Sequence, residues 1–360
     1  MPEYIDSAAA LADLLPTLRA QAAIAVDTEF MREDTCFAKL ALIQIGLPGR
    51  LLLLDPVALG AALDRSLVDA MPLAVLHAPG EDYGVLTHVL GASPARCFDT
   101  QVAAPFAGLA PNLGLRELLK QVLGIALAKD QTRSDWLKRP LSVDQLRYAA
   151  DDVRYLLPLY AELKTRVEAR GQLAWCEDEC RRLRAIGVDD TPEAQPHWHF
   201  RRAEELPELA QRRLFQMLHW REQRARETNR PRNWIAPHAL LWTLAERAPD
   251  SVAAVEQLLS SLQLTGGAKR AGALLAALTA DQPALQASWA PAPSGLYGAA
   301  KLRFQRLRQH AELRATALGL PIEMLAPRRL LEPLARDRQL PAAYAGWRSE
   351  ALAVTAELLA

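Results

Sequence analysis

Residues 23–30 read Ala23-Ile24-Ala25-Val26-Asp27-Thr28-Glu29-Phe30. Four small or apolar residues run straight into Asp27, as expected of a buried central strand. Side chains two apart on a strand share a face. Asp27 and Glu29 therefore point the same way at the end of a strand whose other residues are core. Two adjacent carboxylates repel, and burying their charge is costly unless they are paired or bind a cation. Hard oxygen donors of this kind favour Mg²⁺ or Mn²⁺. An isolated Asp-x-Glu pair reads more readily as two solvated acids, so the metal reading needs further carboxylates from elsewhere.

The flanking chain offers them. Asp6 or Ser7 can cap a helix through Leu18. Two apolar runs follow the opening strand, at 38–46 and 50–55, with Pro48-Gly49 as the turn between them. The three runs predict an antiparallel meander. Next come a helix over about 56–71, a strand at 73–76, and His77-Ala78-Pro79-Gly80-Glu81-Asp82-Tyr83. Gly80 opens a helix to Leu90 that places Asp82 in its first turn. A strand at 96–98 ends at Asp99, whose carboxylate can cap the next helix or support the site. Helices are expected over 101–108, 114–123 and 142–169. This predicts a mixed sheet covered by helices, which resembles an α/β architecture of ribonuclease-H-like type. Ligands of such sheets gather at the carboxyl ends of strands, where Asp27, Glu29, Asp82 and Asp99 all fall. In the helix from Ser142, Tyr148 and Asp152 are four apart and lie on one face. Asp151 is turned about 100° away, towards solvent or a neighbouring arginine.

Asp-x-Glu on the first strand, an Asp after a later strand and Tyr-x-x-x-Asp on a late helix form the pattern of the DEDDy 3′→5′ exonucleases. More closely, the chain resembles the bacterial ribonuclease D family. The resemblance is carried by 26–30, 77–82, 98–101, Ser134-Asp135-Trp136, Arg139-Pro140-Leu141 and 148–153. It implies hydrolysis of RNA from its 3′ end, releasing nucleoside 5′-monophosphates, with two Mg²⁺ or Mn²⁺ ions about 3.5–4 Å apart at the scissile phosphate. The implied metal and catalytic residues are Asp27, Glu29, Asp82 and Asp152, with Asp27 bridging. Tyr148, a phenol that ordinarily titrates near pH 10, would orient the attacking water. Phe30, Tyr83 and Trp136 are candidates to stack on terminal bases, with core packing the competing reading for Phe30 and Trp136. A DNA-directed exonuclease and a non-catalytic RNA-binding scaffold are the alternatives.

At 360 residues the chain has room for two or three domains. Its zero net charge hides a division. Residues 1–190 hold 26 acidic and 20 basic residues, a net of −6, and residues 191–360 hold 16 and 22, a net of +6. An acidic catalytic half beside a basic half suits a polyanionic substrate. Arg212, Arg213, Arg221, Arg224, Lys269 and Arg270 are the candidate phosphate contacts, which would position a strand without reading its sequence. The domains are expected at 1–186 (exonuclease), 187–204 (linker), 205–285 and 290–360. The last two resemble the helicase-and-RNase-D C-terminal (HRDC) module, because Leu325 to Leu331 echoes Ile235 to Leu241. Leu209, Leu214, Leu218 and Trp220 suggest an apolar stripe on the first of these helices. Lys301, Arg303, Arg306 and Arg308 form a basic element in the second. His197 and His199 have metal-like spacing, but the expectation is a linker packed on the nuclease domain. Four cysteines without zinc-finger spacing are expected to be free thiols. No apolar run approaches the ~18 residues of a membrane span, and no signal peptide is evident. A cytoplasmic monomer is expected, acting on RNA with a single-stranded 3′ end such as a tRNA precursor.

Overall fold

The computed structural model describes residues 2–127 and 134–360. They form two compact units. One comprises the residues up to Met31, Lys39–Asp190 and Leu296–Ala360, and the other comprises Arg32–Ala38 and Thr191–Gly295.

The first unit is built on a six-stranded sheet of β1 (Glu3–Ile5), β2 (Ala23–Met31), β3 (Lys39–Leu47), β4 (Arg50–Leu54), β5 (Leu73–Leu76) and β6 (Arg96–Asp99). The spatial order is β1-β4-β3-β2-β5-β6. The expected meander is present as antiparallel β2–β3 and β3–β4 pairs, and β1, β5 and β6 add in parallel. Ile24, Ala25 and Val26 are fully buried, so the opening run is the central strand its composition indicates. Asp27 faces Gln44 across the sheet and Glu29 faces Leu42, with a register shift just beyond, between Glu29 and Phe30.

The flanking helices are α1 (Ala8–Arg19), α2 (Pro56–Leu59), α3 (Arg65–Asp69), α4 (Gly80–Leu90), α5 (Thr100–Phe106), α6 (Leu115–Leu123), α7 (Val143–Arg154), α8 (Leu156–Ala169) and α9 (Leu173–Val188). Two expected helices are each divided. The span 56–71 breaks at Gly60, which has φ +50, a conformation that glycine adopts at little steric cost. The span 142–169 breaks at Tyr155 (φ −110), just before Pro158. Proline has no N–H to donate to the Arg154 carbonyl, so a continuous helix would lose that bond. Pro158 is tolerated in the first turn of α8, where no such donor is needed. The start of α7 is fixed by a capping box: the Ser142 hydroxyl accepts from Gln145 N, and the Gln145 side chain accepts from Ser142 N. α7 lies close on β3. A Cβ added at Gly46 would meet the Val153 carbonyl oxygen at 2.8 Å.

The second unit contains α10 (Glu208–Thr228), α11 (Arg232–Ile235), α12 (His238–Arg247), α13 (Val252–Ser261), α14 (Gly267–Thr279) and α15 (Pro283–Ala287). It has its own core, including Leu214, Met217, Leu240, Leu244, Val255 and Leu274. The apolar face of α10 is Ala210, Leu214, Met217 and Leu218, whereas Leu209, assigned to that stripe from sequence, is exposed. The span expected as a linker over 187–204 is divided between the units: residues up to Asp190 belong to the first and Thr191–Gly295 to this one. His197 is buried against Phe215 and Trp289, and its Nε2 lies 3.0 Å from the Ala290 carbonyl. It is a packing residue, while His199 is exposed beside Glu193.

The chain then returns to the first unit with α16 (Gly298–Leu318), α17 (Ile322–Leu325), α18 (Arg328–Asp337), α19 (Trp347–Leu352) and α20 (Ala356–Leu359). Their apolar residues join the cluster that holds Phe98, Phe106, Leu156 and Leu163. Arg303, taken from sequence as part of a basic surface, is buried, with its Nε donating to the Ala335 carbonyl. All four cysteines are free thiols. No described helix is long and apolar enough to cross a membrane.

Candidate active site

β2 and α7 bring three acids together. Carboxylate oxygens of Asp27, Glu29 and Asp152 all lie within 4.8 Å of one another, and each residue is half-buried. The period of two on β2 and the seating of α7 on the sheet account for this convergence. Asp82 approaches from the first turn of α4 and is buried. Its carboxylate accepts a short hydrogen bond from the Thr28 hydroxyl, the residue between the two acids of β2.

Crowded, partly desolvated carboxylates resist ionisation. Burial, then the neighbouring Asp82, Asp152 and Glu29, push Asp27 well above the usual carboxylate range. Burial, reinforced by Asp152 and Asp82, pushes Glu29 up to about 8. Asp82 is raised chiefly by burial, against the opposing Thr28 hydrogen bond. Carboxylates that resist ionisation for want of countercharge suit a divalent cation, whose field would favour the ionised forms. The donor set is all hard oxygen, so the residues present fit such an ion.

Tyr148 lies one turn before Asp152 on α7 and is half-buried, its ring centroid 6.0 Å from that of Trp136. Asp151 is paired with Arg154 at 2.7 Å, as its helical position indicated. Asp99 caps α5 through Gln101 N and Val102 N and also accepts from Ala78 N. It therefore ties the loop that leads into Asp82 to the end of β6. Burial raises Asp99 to about 6.

Two supports were not foreseen from sequence. The Thr28–Asp82 bond joins residues 54 apart in the chain. Arg139 grips Asp55 with two bonds of 2.7 and 2.6 Å, and also donates to the carbonyls of Trp136 and Ala41. It thereby fastens the segment before α7 to β3 and to the end of β4. An arginine close before a helix is the sole local signal, and its partner lies 84 residues away.

Several nominated RNA contacts are elsewhere engaged. Tyr83 and Trp136 are 2% and 3% exposed, leaving no ring face for a base, and both are core. Phe30 is half-buried at the end of β2. Arg221 is buried and donates to the Ala236 carbonyl. Arg212 pairs with Glu208 and lies 3.9 Å from the Trp289 ring centroid. Arg224 pairs with Glu227, and Arg270 donates to the carbonyls of Thr265 and Ile235. Lys269 is exposed and Arg213 half-buried.

Comparison with known proteins agrees with this geometry. A 3′-5′ exonuclease family profile matches residues 2–168, and an HRDC domain profile matches residues 210–270. Ribonuclease D of Xanthomonas oryzae pv. oryzae is 38% identical over 354 residues, spanning 98% of this chain and 96% of that protein. The chain belongs to the ribonuclease D family. Ribonuclease D of Escherichia coli is 33% identical across 96% of this chain and 94% of its own length. Its crystal structure, described as that of an exoribonuclease involved in structured RNA processing, superposes with a TM-score of 0.81 at 30% identity, covering 98% of this chain and 96% of that one. The acids gathered by β2, α4 and α7 thus lie within the exonuclease part of a ribonuclease D chain, and the enzyme is a 3′→5′ exoribonuclease.

Proposed function

We propose that this enzyme removes nucleotides from single-stranded 3′ ends of structured RNA, tRNA precursors among them, by metal-assisted hydrolysis that releases nucleoside 5′-monophosphates. The observation that carries the reading is the convergence of Asp27, Glu29 and Asp152 within 4.8 Å, beside an Asp82 fixed by Thr28. Asp27, Glu29 and Asp152 would hold one divalent cation, and Asp27 with Asp82 a second, with Mg²⁺ or Mn²⁺ as the candidates. Bound there, the ions would supply a water made acidic enough to attack and charge stabilisation for the leaving oxygen. Tyr148 orients the attacking water through its hydroxyl. Thr28 keeps the Asp82 carboxylate turned into the site, and Arg139 holds in place the segment that leads to Tyr148 and Asp152. The basic residues that remain accessible in the second unit, Lys269 above all, contact phosphates without reading sequence. A cytoplasmic monomer fits this reading.

The test is incubation with Mg²⁺ or Mn²⁺ and matched RNA and DNA carrying single-stranded 3′ extensions, following product length with time. Stepwise shortening of the RNA to mononucleotides is expected. Asp152→Asn should abolish turnover by at least ~10³-fold, the scale on which single catalytic groups act, while RNA binding persists. Near-normal turnover in that variant would refute the assignment.

A further inference from the structure

Strand β3 is apolar at every buried position but one. Leu40, Leu42, Ile43 and Ile45 surround Gln44, whose exposure is 0%. Neither the amide nitrogen nor the amide oxygen of Gln44 has a hydrogen-bond partner. Burying a primary amide unpaired is unfavourable, and a leucine or methionine would fill similar space without that penalty.

The neighbours of Gln44 show what the amide can serve. Across the sheet it is paired with Asp27 on one side and Leu53 on the other. Directly opposed residues share a face, with Cβ atoms about 4.5–5.5 Å apart. Along its own strand the same-face neighbours are Leu42 and Gly46. Gly46 lies under the Val153 carbonyl, so α7 covers this face. Leu53 and Leu42 are apolar, and Gly46 has no side chain. Asp27 is therefore the one polar side chain among the four in-sheet neighbours of a fully buried, unpartnered amide.

We propose that Gln44 is a positioning residue of the metal centre: with a cation bound and Asp27 ionised, its amide N–H groups would donate to the Asp27 carboxylate and fix the orientation in which Asp27 presents an oxygen to the cation. An ionised carboxylate accepts hydrogen bonds and cannot donate them, whereas a primary amide offers two N–H donors. A bond from amide to carboxylate is charge-assisted, and its Gln44 end would be closed to water. Partners of this kind orient a ligand they do not replace, and their loss typically weakens metal binding by about 10–100-fold. The assignment rests on the metal-centre reading of the preceding subsection.

The test uses the full chain with Gln44→Met, which keeps the unbranched length, and Gln44→Leu, which keeps the bulk. Either folded variant decides. Melting temperature is measured without added metal, and Mn²⁺ affinity is measured by calorimetry with electron paramagnetic resonance of the free ion. The variants should melt at or above the wild-type temperature without metal, because an unpaired buried amide has been removed. Their Mn²⁺ dissociation constants should rise about tenfold, and the Mn²⁺ concentration for half-maximal RNA degradation should rise in parallel. Wild-type Mn²⁺ affinity in a folded variant overturns the assignment. Asp27→Asn separates the two failures. If the wild type binds Mn²⁺ no better than Asp27→Asn, the metal-centre reading fails and this proposal with it. If the wild type binds more tightly and the Gln44 variants match it, the role of Gln44 alone is refuted.

Discussion

The helices α10–α12 and α16–α18 repeat one pattern with different outcomes. Each element of the second set begins 90 residues after its counterpart, and the paired lengths are identical at 21, 4 and 10 residues. The long helices both end in a left-handed residue, Asn229 and Gly319, and the third helices do so at Ala248 and Arg338. Leu240, Leu241, Leu244 and Ala245 are buried in one, and Leu330, Leu331, Leu334 and Ala335 in the other. The first set closes its core with α13 and α14 and stands as a separate unit. In the second the short α19 and α20 follow instead, and its core is completed against the nuclease fold.

That junction is specific as well as apolar. Trp347 stacks on Trp175 with ring centroids 5.9 Å apart and meets Phe106 edge-on at 5.3 Å. Glu179 of α9 lies between Arg182 and Arg348 and accepts from the Trp347 indole. Arg170 and Gln172 donate to the carbonyls at the end of α16. One pattern of apolar residues can thus yield an autonomous module or a wall of another domain, depending on which helices follow it.

The largest expected effect comes from cutting the chain after Gly295. Loss of 296–360 strips a wall from the nuclease core, and the remainder should lose cooperative melting and most soluble yield. A fragment of 191–295 should instead melt cooperatively by circular dichroism. A stable, active truncation at 295 would break the comparison. It follows that removing everything beyond residue 200 would disturb the nuclease core as well as the basic residues.

A smaller effect is expected at Glu179. Glu179→Ala leaves Arg348, 2% exposed, without its buried counterion, and should cost about 3–5 kcal/mol. Glu208→Ala, which breaks an exposed pair on α10, should cost no more than about 1 kcal/mol. Urea midpoints of the two variants test this contrast. Burial alone would raise Glu179, but Arg182 and Arg348 more than offset it and hold the carboxyl at about 2. A carboxyl depressed in the folded state stabilises above its unfolded pKa, and that stability is lost as pH falls through the folded value. The stability gap between wild type and Glu179→Ala should therefore be full at pH 6 and shrink between about pH 4.5 and 2. The smallest effect is at Lys269. Lys269→Ala should lower RNA affinity only slightly and reduce the slope of log affinity against log salt by about 0.7, without altering metal dependence.

The opening strand was legible because its apolar run and its alternate acids follow local periodicity. The same holds for Tyr148 and Asp152, which a helix places on one face. Core packing was one of two open readings for Trp136, and burial of Tyr83 was not legible, because an aromatic residue near a site has the same local signature whether it lines the cleft or the core. The Thr28–Asp82 and Arg139–Asp55 bonds depend on residues 54 and 84 positions apart, so no window of sequence holds both partners. The fusion of α16–α19 to the nuclease fold was hidden for a related reason. Leu330, Leu331 and Leu334 show which face is buried and not what buries it.

Gly46 has no part in the chemistry, yet it sets the standoff between the two halves of the active site. The helix that holds Tyr148 and Asp152 rests on bare backbone at this point, with the Val153 carbonyl where a methyl group would be. Any side chain there would act as a shim, lifting Asp152 away from Asp27 and Glu29. The gauge of the metal centre is thus machined into the thickness of the sheet itself, at a residue with no side chain to vary.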